Sequence, residues 1–148
     1  MAGAVVCATA VTALACGGCT SAVEVRGPSR GPAECAALLA ALPGTVDGQE
    51  RREVAPGDAL AAAWGDPAIV LRCGAAAPEA LGPSSRCAEV NGVGWFAEQH
   101  DEGYRFSTIG RTTTVQMRVP YDYEPAADAL VDVAAAIRQT VPEVQPCV

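Results

Sequence analysis

The residues of this chain best equipped for chemistry are its seven cysteines and its single histidine. Cys7, Cys16 and Cys19 sit in or beside an apolar N-terminal run, and Cys35, Cys73, Cys87 and Cys147 lie beyond it. A zinc centre built of cysteines normally includes a close Cys-x-x-Cys pair; the four distal cysteines are scattered singly, so no metal site is expected. A cysteine nucleophile needs a partner base, and His100 stands in the turn-like stretch QHDEG, where it reads as a solvated turn residue. An even set of four in an exported domain reads instead as two disulfides. Three pairings are open to four cysteines. The expected one joins Cys73 to Cys87, closing the loop GAAAPEALGPSSR, and Cys35 to Cys147, tying the first helix to the end of the chain.

The leader cysteines pose a different question. Ala2 to Ala15 (AGAVVCATAVTALA) carries no charge, and its length suits the apolar region of an export signal, about 7 to 15 residues, better than a membrane span of about 20. Met1-Ala2-Gly3 departs from the usual signal in lacking a basic residue. A redox role for Cys16-Gly-Gly-Cys19 would need a thioredoxin-like βαβ context. Two readings remain: Ala13-Leu14-Ala15 fits ordinary signal cleavage and free secretion, and Ala15-Cys16-Gly17-Gly18 resembles a bacterial lipobox. The expectation is lipidation at Cys16, with Cys19 as the alternative, and export to the outer face of the cytoplasmic membrane or the cell envelope. Contact with the membrane would run through this N-terminal anchor.

Other side chains invite a ligand without forming a reactive set. Arg72 suits an anion; Trp95, beside the turn residue Asn91, suits a pocket wall; Tyr121, Asp122 and Tyr123, followed by Glu124, suit carbohydrate, cation or peptide contacts. Each has an ordinary alternative: a solvated arginine, a core tryptophan, a strand-to-helix connection. There is no Gly-rich phosphate loop, nucleophile elbow or histidine cluster. No catalytic residue and no cofactor are therefore expected, and the chain reads as a binding or interaction module for an envelope protein or cell-wall component. A small cell-wall hydrolase working through Asp101, Asp122 or Glu124 is the alternative. The formal charge of −7 argues against a nucleic-acid partner, which is normally met by a basic patch.

The elements that must position these residues follow from periodicity. Residues 1–19 read as signal and lipobox region, 20–33 as a flexible tether rich in Gly, Pro and Ser, and 34–148 as one domain. Cys35, Leu38, Leu39 and Leu42 share one face of a short helix ended by Pro43-Gly44. TVDGQERREVAPG reads as an exposed hairpin or loop, and DALAAAWG as a helical turn from Asp58 to Gly65. In AIVLRC, Ile69, Leu71 and Cys73 alternate with Val70 and Arg72 as in a strand. Asn91-Gly92, HDEG and RTT separate the strand-like segments CAEV, VGWFAEQ, YRFSTIG and TVQMRV, the pattern of an antiparallel meander. After Pro125 a helix carries Leu130, Val133, Ala134, Ile137 and Val141 as its apolar stripe. The expected fold is α+β: a curved antiparallel sheet of four or five strands with helices packed on one face, stapled by disulfides.

The order CAALLAALP, IVLRCG, VNGVGWF, YRFSTIGR and VPYDYEP before a final amphipathic helix resembles the domain-of-unknown-function family numbered 3515, exported or membrane-anchored proteins of actinobacteria. The resemblance covers nearly all of Glu34 to Pro142, with RCG and VNGVGW its most specific segments. It implies an envelope location and a cysteine-containing α+β domain. It brings no catalytic residue to carry over.

Overall fold

A computed structural model describes residues 21–147; the leader, with Cys16 and Cys19, lies outside the described residues. Two helices, α1 (Ala33–Ala41) and α2 (Ala127–Thr140), pack against one another and against one face of a large sheet. In chain order the strands are β1 (Val23–Glu24), β2 (Thr45–Val46), β3 (Gln49–Arg52), β4 (Val54–Ala55), β5 (Ala61–Trp64), β6 (Ile69–Cys73), β7 (Ala88–Val90), β8 (Val93–His100), β9 (Gly103–Ile109) and β10 (Val115–Pro120). Eight of them form one antiparallel sheet in the order β2-β3-β5-β6-β10-β9-β8-β7. It is larger than the four or five strands expected, because the charged TVDGQERR hairpin and the alanine-rich segment both join it.

That alanine-rich segment is the clearest correction. Ala61–Trp64 is a strand and not the expected helical turn. Alanine has the highest intrinsic helix propensity, but propensity is a weak prior that tertiary burial overrides. Ala62 and Trp64 turn to the helix side, while Ala61 and Ala63 join Val25, Ala59 and Val70 in a small second cluster on the other face. Small side chains let the N-terminal segment lie close over this part of the sheet.

On the helix side, alternate residues of the strands meet the apolar stripes of α1 and α2. Trp64, Ile69, Leu71, Trp95 and Met117 are fully buried there with Leu38 and Ile137. The Trp64 indole N–H donates to the Pro43 carbonyl (3.1 Å), and Trp95 meets Phe106 edge-on at 6.4 Å. The Asn91-Gly92 turn carries φ of 47° and 77°, the left-handed pair that a two-residue hairpin needs. Arg138, late in α2, donates to the Asn91 carbonyl (2.7 Å) and fastens helix to hairpin.

The disulfides join Cys35 to Cys73 and Cys87 to Cys147, with Cα atoms 5.5 and 5.8 Å apart. The expected pairing is thereby overturned, and strand order is the reason. Cys73 ends β6 on the helix side, facing Cys35 on α1, and both are fully buried. Cys87 precedes β7, four strands away, which at about 4.8 Å per strand is roughly 19 Å, beyond the reach of a disulfide. Cys87 instead meets the C-terminal tail across Gly94, where an added Cβ would stand 2.9 Å from the Cys87 sulfur.

Part of the stretch read as a tether is held down. The Val23 N–H donates to the Glu53 carbonyl (2.8 Å), the Val25 N–H to Ala55 (2.9 Å), and the Leu60 N–H to Pro28 (3.0 Å). Arg52 donates to the Ser21 carbonyl (2.7 Å), and Val25 is buried. Segments from the two ends of the chain therefore cover the flanks of the second sheet face, and its middle stays open.

Candidate functional site

The open middle of the sheet is built by the side chains that alternate away from the core. Arg72 on β6 stands opposite Gln116 on β10, which in turn stands opposite Ser107 on β9. One step along, Val70, Arg118, Arg105 and Glu98 form the next row across β6, β10, β9 and β8. Three arginines on one face, two of them directly opposed, is an arrangement that like-charge repulsion disfavours.

Two of the three are answered by carboxylates. Arg105 pairs with Glu98 at 4.0 Å and Arg118 with Glu102 at 3.5 Å. Arg72 has no ion pair among the described residues, and its buried Nε has no hydrogen-bond partner there. Partial burial, and then the repulsion of Arg118 and Arg105, hold its guanidinium below the usual arginine value. A desolvated, unmatched guanidinium offers charged hydrogen-bond donors to an acidic group.

Arg72, Gln116, Val70, Arg118 and Arg105 of these rows floor a groove of about 1030 Å³. Its end is formed by the β8–β9 turn, with His100, Asp101 and Glu102, and by Tyr121 and Asp122 after β10; Val23 and Glu24 stand on its N-terminal wall. Tyr121 is fixed by its phenol, which donates to the His100 carbonyl (2.7 Å) and accepts from the Gln99 amide (2.9 Å), and its ring meets Tyr104 edge-on at 5.2 Å. The Tyr104 hydroxyl donates to Glu124 at 3.5 Å, and burial followed by the nearby Glu124 charge pushes that phenol above its ordinary value.

Of the residues singled out from the sequence, Arg72, Tyr121 and Asp122 line this groove together. Trp95 does not: it is 0 % exposed in the helix-side core and offers no surface to a ligand. Tyr123 turns aside, donating to the Pro67 carbonyl (2.7 Å) and packing against the core. Asp101 and Asp122 are exposed at the groove, and Glu124 is exposed outside its lining.

Arg105, Gln116 and Arg118 were not singled out. Gln116 and Arg118 do alternate with Val115, Met117 and Val119 in the sequence, so their shared face was readable. Their meeting with Arg72 depends on β10 lying beside β6, a non-local pairing.

A family model described as "Protein of unknown function (DUF3515)" matches residues 1–146. No curated protein and no solved structure matches the chain. Disulfides persist in oxidising compartments, and the two bonded pairs fit an extracytoplasmic setting. No helix among the described residues is long and apolar enough to cross a membrane.

Proposed function

We propose, for a chain that belongs to this family of unassigned activity, that it is an exported, lipid-anchored binding module whose open sheet face receives an acidic group at Arg72. The observation that carries the reading is the one arginine of the floor left without a carboxylate, its Nε unsatisfied, in a groove of ligand size. A buried polar atom without a partner costs free energy, which a bound acid would offset. The hydrolase alternative needs a sheltered carboxyl to act as acid; Asp101, Asp122 and Glu124 are all exposed.

Anchoring at Cys16 or Cys19 agrees with how the N-terminal segment is held. Ser21 is already bound to Arg52, and five residues of extended chain, the separation from Cys16, span at most about 18 Å. An anchored domain would keep its groove, walled by Val23 and Glu24, near the membrane surface. Metabolic lipid labelling of Cys16→Ser and Cys19→Ser chains tests the anchor: label lost in one of them identifies the site, and label absent from the unaltered chain rejects anchoring. Titration with sodium acetate, followed through the arginine Nε–H resonances, tests the binding. Saturable movement of the Arg72 signal is expected, and its absence would reject the site.

A further inference from the structure

The groove has a polarity that goes beyond acid binding. With Arg105 matched by Glu98 and Arg118 by Glu102, the charges left over are Arg72 at one end of the floor, Asp101 and Asp122 at the other, and Glu24 on the N-terminal wall. Neither aspartate has an ion pair among the described residues. The register sets the distance. Arg72 is level with Gln116, and the groove's end begins at Pro120, level with Gly103. Four residues of strand at about 3.3 Å each make roughly 13 Å. Between the ends lie the apolar Val70 and Ala68 and, level with Val70, the carboxylate-paired Arg118 and Arg105, while the amide of Gln116 stands beside Arg72.

We infer that the groove takes an extended zwitterion about four residues long, in its simplest form a short peptide held by its own two ends: its carboxylate on Arg72 and its ammonium at Asp101 and Asp122. A neutral ligand of this kind also escapes the repulsion that a chain of charge −7 exerts on a polyanion. The inference rests on the acid-binding reading of Arg72 and adds to it a second pole and a length.

The test is calorimetry on the full chain with tetra-alanine, di-alanine, N-acetyl-tetra-alanine, tetra-alanine amide and sodium acetate as probes. Free tetra-alanine should bind at least about tenfold more tightly than the other four probes, about 1.4 kcal/mol. Arg72→Gln should erase the advantage of the free carboxylate, and Asp101→Asn with Asp122→Asn that of the free amine. Equal binding of free and blocked tetrapeptides would overturn the two-pole inference. Should acetate still bind in an Arg72-dependent way, the acid-binding reading stands by itself; if acetate does not bind either, both fall. A preference for di-alanine over tetra-alanine would overturn the length.

Discussion

The same central strands present two unlike faces. Toward the helices, Leu71, Met117 and Trp95 fill a closed core; on the reverse, Arg72, Gln116 and Arg118 from two of those strands stand in a groove. The first face is settled by burying apolar surface, which is non-directional and tolerant of detail. The second places like charges side by side and leaves a donor unsatisfied, which stability alone would not select. Local conflict with the folding rules is where function is expected. The two faces thus separate what holds this protein together from the surface proposed to meet a ligand.

Substitutions should obey that division. Trp95→Ala, on the closed face, should lower the unfolding free energy by about 3–5 kcal/mol in a urea titration; a loss below about 1 kcal/mol would break the distinction at its stronger side. Removing the Cys35–Cys73 bond with paired alanines frees a separation of 38 residues, for which chain entropy gives about 4 kcal/mol. A shift of the denaturation midpoint of corresponding size is expected, and an unchanged midpoint under oxidising conditions would contradict the pairing. On the open face, Arg72→Gln should leave stability within about 1 kcal/mol of the parent, or raise it, because a repelled guanidinium is removed. The same change should abolish acetate binding. A large destabilisation would make Arg72 structural and erase the contrast.

The smallest effect is a pH dependence away from both faces. Glu34 accepts hydrogen bonds from Thr113 (2.6 Å) and Thr112 (3.0 Å). Its carboxyl is held below the ordinary value by Thr113 first, then by its own backbone N–H and by Thr112. A depressed folded value means that the ionised form stabilises the fold above the unfolded value, and that this is lost as pH falls through the folded value. The difference in melting temperature between the parent and Glu34→Gln should therefore shrink as the pH falls below the ordinary carboxylate range. A difference independent of pH would show that the hydrogen bonds, and not the charge, matter.

Periodicity in the sequence carried the local features. The stripe of α2, the alternation in Ile69–Cys73 and the turn at Asn91-Gly92 each depend on neighbours a few residues apart, and each agrees with the structure. What periodicity could not carry was order across the sheet. Cys73 and Cys87 are near in sequence and four strands apart in space, while Cys35 and Cys73 are the reverse. Arg72 was legible as an outward residue; its company of Arg105 and Arg118 was not, because β6 meets β10 only through a long-range pairing. Ala61–Trp64 failed for another reason: alanine's local preference is for a helix, and burial on both faces of the sheet overrides it.

The two disulfides also set when the domain can become firm. They span 38 and 60 residues, and each is worth about 4 kcal/mol by chain entropy, against a typical total of about 5–15 kcal/mol for a domain. Before it meets an oxidant, the chain lacks the links that tie α1 to the central strand and the tail to the hairpin. For an exported chain, completion would then be a matter of place: less firmly held where it is made, and locked where it works.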